Sequence, residues 1–134
     1  MTPLTGLRVL VVDDDDTNRL VARLFLERAG CFVAEARNAL AALEQLAEAP
    51  VDCLLLDIGM PFMDGKTLCA RLRADPAWQP LRIVAYTAAV VDEQLPELGP
   101  GGFDAIVTKP VEREALLRAV ATPRYRATSA RDDG

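Results

Sequence analysis

Hydrophobic and polar positions fall into short blocks along the chain, and the blocks change period. Leu7 to Val12 is mostly aliphatic and β-branched, and it runs straight into four acids, Asp13 to Asp16. Such a run predicts a buried strand that ends in carboxylates. Leu20, Val21, Leu24 and Phe25 then recur at helical spacing, with Arg19, Arg23, Glu27 and Arg28 between them. This predicts a helix capped by Asp16 or Thr17, with the four apolar residues as its inward stripe and Gly30 as its stop. Cys31 to Ala36 alternates as a second strand, and Asn38 to Ala47 carries Leu40, Leu43 and Leu46 on one helical face.

After Pro50, Val51 to Leu56 predicts a third strand, buried on both faces and ending at a single acid, Asp57. A loop from Gly59 to Gly65 leads into a third helix over Lys66 to Arg73, where Leu68 and Leu72 stand four apart; Asp64 caps or turns the loop into it. Asp75 to Pro80 is a loop holding the only tryptophan, Trp78. Arg82 to Tyr86 predicts a fourth strand with Thr87 at its end, and Asp104 to Thr108 a fifth leading into Lys109-Pro110. The last helix is expected over Glu112 to Ala121, with Leu116, Leu117 and Val120 inward. Residues 1–122 are expected to form one domain, and residues 123–134 a polar, disordered tail.

Strands that alternate with helices require a parallel sheet with right-handed crossovers and helices on both faces, an α/β architecture. One segment breaks the rhythm. The helix due between Thr87 and Asp104 contains Pro96, Gly99, Pro100, Gly101 and Gly102. An interior proline costs a helix about 3 kcal/mol and a glycine about 1 kcal/mol. This fourth helix is therefore expected to be short, distorted or mobile.

Composition narrows the chemistry. The chain of 134 residues suits one domain, and its 51% hydrophobic and 5% aromatic content points to an aliphatic core. The net charge of −5 argues against a nucleic-acid-binding surface, and histidine is absent. That excludes histidine acid–base catalysis, histidine metal sites and a histidine phosphocarrier. Cys31, Cys53 and Cys69 lack any C-x-x-C spacing and are expected as buried thiols in a reducing, cytoplasmic setting. No signal peptide and no membrane span is indicated.

The strand ends carry the polar residues. Asp13 and Asp14, Asp57, Thr87 and Lys109 all fall at the carboxyl edge of the sheet, where ligands bind in open α/β folds. Carboxylates so close repel one another unless a cation intervenes. Lys109 supplies one charge, and Mg2+ suits the rest because it needs few carboxylates and keeps several waters. Lysine and metal can hold phosphoryl oxygens, an aspartate can accept the group, and Thr87 can hydrogen-bond it once present.

These residues resemble the receiver domains of two-component response regulators. The likeness runs from about Leu7 to Val120. It is carried by Val11-Val-Asp-Asp-Asp with Asn18-Arg19, by Leu56-Asp-Ile-Gly-Met-Pro-Phe-Met-Asp-Gly65, by Ala85-Tyr-Thr-Ala88 and by Thr108-Lys-Pro-Val111. The resemblance implies a flavodoxin-like (βα)5 three-layer sandwich with strand order 2-1-3-4-5. It implies that Asp57 is the phosphoacceptor and that Mg2+ is held by Asp13, Asp14, Asp57 and the backbone carbonyl of Gly59. Lys109 would pair with the phosphate, Thr87 would be the switch hydroxyl, and the Lys109–Pro110 bond would be cis. The implied partners are a histidine kinase or a histidine phosphotransfer protein, then a protein target or a second copy met through the face after Thr87 and the last helix. No nucleic acid and no membrane is implied, and the only activity would be Mg2+-dependent self-phosphorylation and autodephosphorylation. The wording of the motifs looks most like receivers attached to, or served by, hybrid histidine kinases.

The sequence departs from that pattern at Ile106, where receivers usually carry Tyr or Phe as rotameric partner to the threonine. Gly59 and Ala89 also offer no side chain to orient or block an attacking water. With Ile106 in place of an aromatic and Pro/Gly breaking the fourth helix, phosphorylation is expected to be read out by ordering residues 90–102 rather than by an aromatic swing. Two other readings exist. Asp13-x-Asp15-x-Thr17 also fits haloacid-dehalogenase-like phosphohydrolases with Asp13 as nucleophile, although the late acidic pair Asp132-Asp133 lies in the tail and Asp57 is left unexplained. A pseudo-receiver that no longer accepts phosphate is the other. No output domain follows, so a stand-alone receiver or a fragment of a longer kinase is expected.

Overall fold

The five aliphatic runs pair side by side in a computed structural model, which describes residues 4–60, 63–87 and 102–121. They form β1 (Arg8–Val12), β2 (Phe32–Ala36), β3 (Cys53–Asp57), β4 (Arg82–Thr87) and β5 (Ala105–Thr108). Every pairing is parallel, and the order is 2-1-3-4-5, as the alternation and the family likeness predicted. The helices are α1 (Asp16–Arg28), α2 (Ala39–Glu48), α3 (Gly65–Arg73) and α4 (Arg113–Ala121), with one 3-10 turn at Pro76–Trp78. The helix expected between β4 and β5, its ordering on phosphorylation, and the expected tail all lie outside the described residues.

Strand alternation feeds two cores. Leu10, Val12, Leu54, Leu56, Ile83 and Ala85 pack with α2 and α3 on one side of the sheet. Val9, Val11, Cys53, Leu55, Val84, Tyr86 and Val107 pack with α1 and α4 on the other. All three cysteines are buried.

Helix starts are fixed locally by side-chain caps. Asp15, one residue before the expected cap, accepts the Asn18 N–H at 2.9 Å, so Asp16 is already helical. Asn38 accepts from Ala41 at 2.7 Å, and Asp64 from Thr67 at 2.8 Å, each satisfying a backbone donor left over by the first turn. Gly30, at φ +100°, terminates α1 in the left-handed region that only glycine enters cheaply.

Two helical stripes differ from the expectation. In α1 the fully buried residues are Ala22 and Leu26, while Leu20 and Leu24 are 44% and 42% exposed. In α2 the buried residues are Ala39, Ala42 and Leu46, while Leu40 is 67% exposed. The physical reason is the same in both. A small alanine lets the helix lie close to the sheet, so the alanine positions choose the inward face. Leu20 and Leu24 stand two residues from Ala22 and Leu26, which on a helix is nearly the opposite side. Phe25, Leu43 and Leu46 do pack inward, so counting only large apolar residues misplaces Leu20, Leu24 and Leu40. Leu26→Ala is therefore expected to lower stability by about 2–5 kcal/mol, and Leu24→Ala by well under 1 kcal/mol. Urea unfolding of the two variants, compared at equal m-value, checks this.

Candidate functional site

Chain order places the site. The chain winds outward from β1 in both directions, to β2 on one side and β3 on the other, and the crevice beyond those carboxyl ends is where such sheets bind ligands. An open cleft of about 590 Å³ lies there, lined by Asp14, Asp57, Gly59, Lys66, Thr87 and Lys109, among others.

Asp13 and Asp57 are each held by a backbone N–H two residues on. Asp13 is wholly buried, and its Oδ1 accepts the Asp15 N–H at 2.8 Å. Asp57 is 5% exposed, and its Oδ1 accepts the Gly59 N–H at 3.0 Å. Asp14 is exposed, yet single oxygens of Asp13, Asp14 and Asp57 gather within 4.8 Å of one another. Lys109 Nζ sits 3.2 Å from Asp13 Oδ2 and 3.3 Å from Asp57 Oδ1. The approach to Asp13 Oδ2 is Coulombic and lacks hydrogen-bond geometry, so this buried oxygen has no hydrogen-bond donor. Burial pushes the Asp13 carboxyl up to about 6; the Asp15 N–H opposes the rise, the charge of Asp57 adds to it, and Lys109 opposes it. A buried oxygen without a donor, in a group of three acids beside one ammonium, fits a hard divalent cation.

The remaining predicted residues fall around this centre. Thr87 is buried at the end of β4, and its carbonyl accepts the Lys109 N–H at 2.9 Å. The Lys109–Pro110 peptide bond is cis. Gly59 borders the cleft, and a Cβ there would meet only Asp57 Oδ1, at 3.7 Å. Ile106 stands apart from the acids. It pairs with Ala85 and packs half-buried on the α2–α3 side. The arrangement joins a carboxylate facing an open cleft to a positive charge and a group of acids that could hold a cation, which suits transfer of an anionic group.

A family model for the response regulator receiver domain matches residues 9–121. The chain belongs to the receiver domain family. A receiver is a signalling phosphoacceptor, and it interacts with histidine kinases or phosphotransfer proteins. The chain is 36% identical to the two-component response regulator ORR41 of Oryza sativa subsp. japonica, over 82% of this chain and 88% of that one. It is 34% identical to the sensor histidine kinase GacS of Pseudomonas protegens, over 84% of this chain but only 13% of GacS. Among solved structures, the chemotaxis response regulator CheY4 of Vibrio cholerae superposes with a TM-score of 0.76 at 27% identity, covering 87% of this receiver and 97% of that chain. The family match leaves the haloacid-dehalogenase-like reading without support.

Two residues were not singled out by sequence reasoning. Arg19 Nη1 donates to the Asp13 carbonyl at 2.7 Å, while its Nε donates to Glu35 at 2.9 Å, so β1's acidic end is tied to α1 and β2. The Asn18-Arg19 pair was legible as a motif; the backbone acceptor was not. Tyr86 lies beneath Lys109, with Nζ 4.8 Å from the ring centroid. Its position was legible in strand parity, since Tyr86 is the register partner of Asp57.

Gly65 lies close against the end of β3. A Cβ built on it would fall onto the Asp57 carbonyl oxygen and lie 2.7 Å from Ile58 Cα. Both contacts are backbone, so neither can swing aside. Gly65→Ala is expected to cost about 1–3 kcal/mol of stability. It should also weaken Mg2+ binding measured by calorimetry, because the strand end carrying Asp57 must shift.

Proposed function

We propose that Asp57 takes a phosphoryl group from a phosphohistidine on a histidine kinase or histidine phosphotransfer protein. The observation that carries this is the geometry of Lys109, whose ammonium stands within 3.3 Å of both Asp57 and Asp13 at the cleft. A carboxylate oxygen of Asp57 attacks phosphorus, the P–N bond breaks, and the histidine nitrogen leaves. Lys109 offers its charge to the phosphoryl oxygens as they move onto Asp57, and Thr87 offers a hydroxyl to the same group. Asp13, Asp14, Asp57 and the Gly59 backbone carbonyl would hold Mg2+, which supplies charge neutralisation for the phosphoryl oxygens. The buried, donor-less Asp13 Oδ2 supports a cation at that place.

The output is protein–protein contact, with no further enzymatic activity beyond self-phosphorylation and autodephosphorylation. No described helix is long and apolar enough to cross a membrane, and the three buried thiols suit the cytoplasm.

Intact-mass spectrometry after incubation with phosphoramidate and Mg2+ tests the reading. One phosphate adduct is expected on the wild type, absent from Asp57→Asn and absent when EDTA replaces Mg2+. An adduct that survives Asp57→Asn would overturn the assignment of Asp57, and no adduct on the wild type would favour the pseudo-receiver.

A further inference from the structure

Ile106 leaves the place of the usual aromatic empty of an aromatic, yet the site has one. Strand parity locates it. Val11, Leu55, Tyr86 and Val107 share the sheet face covered by α1 and α4. Two residues on from Val11, Leu55 and Val107 come Asp13, Asp57 and Lys109, so the two acids, the lysine and Tyr86 follow one alternation. Ile106 belongs to the opposite alternation and packs in the other core.

Tyr86 is 1% exposed, and its ring is sealed by the α4 side of the core. The ring face is turned to Lys109 Nζ at a centroid distance of 4.8 Å, well inside cation–π range. The ammonium thus has three neighbours of favourable sign: Asp13 Oδ2, Asp57 Oδ1 and the ring. The two carboxylates are poor permanent anchors, because a divalent cation and a phosphoryl group would both change their charge. The ring is uncharged and buried in the core, so it has no charge for either to change. We infer that Tyr86 is the positioning residue for Lys109, a fixed aromatic seat that keeps the ammonium over the cleft while the charges around it change.

This deepens the proposed function and rests on it for the anion that Lys109 meets. The seat itself is read without any phosphoryl chemistry. In NMR spectra of the wild-type protein, the Lys109 ε-methylene protons are expected to be shifted upfield by the ring. They should stay shifted in Tyr86→Phe and lose the shift in Tyr86→Leu. Unshifted protons in the wild type overturn the inference whatever Asp57 does.

The second readout separates positioning from a role in stability alone. Beryllofluoride affinity and Mg2+ affinity are measured by calorimetry on the wild type and both variants. Tyr86→Leu should weaken beryllofluoride binding by about 2- to 30-fold, the span of a cation–π contact from exposed to desolvated. Mg2+ affinity should be equal or tighter, and Tyr86→Phe should restore the anion affinity. A parallel loss of both affinities, or no loss of either, overturns the inference. A wild type that binds neither beryllofluoride nor phosphate refutes the proposed function instead, and the NMR shift then decides the seat alone.

Discussion

Everything at this site depends on crowding negative charge where water is scarce. Asp13 is wholly buried and Asp57 nearly so, and a third acid stands beside them. Burying ionised carboxylates together is unfavourable unless cations answer them. Lys109 answers part of the charge, while burial first, and the charge of Asp57 after it, push the Asp13 carboxyl up to about 6. This crowding of buried acids sets the character of the site. It makes the cleft a place where a divalent cation is welcome and where an arriving phosphoryl group meets charge already positioned.

The fold holds those charges by means of its strand ends. Asp57 closes β3, which is buried along its whole length, and Asp13 follows β1 directly. Backbone N–H groups two residues on fix one oxygen of each acid. Gly65 allows the loop to turn back against the Asp57 carbonyl, where any side chain would collide. Arg19 adds a third restraint by gripping the Asp13 carbonyl from α1. The acids are thus carried by rigid elements, and their separation follows from the strand spacing more than from side-chain freedom.

The strands and their parallel pairing were legible because each rests on a strong local signal, an aliphatic run ended by an acid or a motif, while the order 2-1-3-4-5 came with the family likeness. The inward faces of α1 and α2 were legible only in part: Phe25, Leu43 and Leu46 pack inward as expected, but alanines at Ala22, Ala39 and Ala42 take the places expected of Leu20, Leu24 and Leu40. Alanine contributes little to an apolar stripe and much to how near a helix lies to its sheet. Tyr86 escaped for a different reason. Attention to the family's usual aromatic position led to Ile106, whereas the two-residue period of β4 and β5 puts Tyr86 on the side where Lys109 works. Sequence placed the residues at one edge; only geometry could say which of them share a face.

The departure at Ile106 lies on the opposite sheet face from Tyr86, and the strand ends carrying Thr87 and Lys109 are held without an aromatic there. Thr87 and Lys109 flank the Pro/Gly-rich segment, but their own positions are set elsewhere. β4 and β5 pair up to Thr87 and Thr108, and the Lys109 N–H donates to the Thr87 carbonyl. The start of β5 is anchored independently by Arg73. Its Nε donates to the Gly102 carbonyl at 2.9 Å, and its Nη2 meets Asp104 at 2.9 Å, in a pair whose side chains are 3% and 1% exposed. Asp104 in turn accepts the Ile83 N–H at 2.8 Å. Breaking such a buried pair costs about 3–5 kcal/mol, so this clamp is not easily lost. The places of Thr87 and Lys109 thus follow from β4, β5 and this clamp.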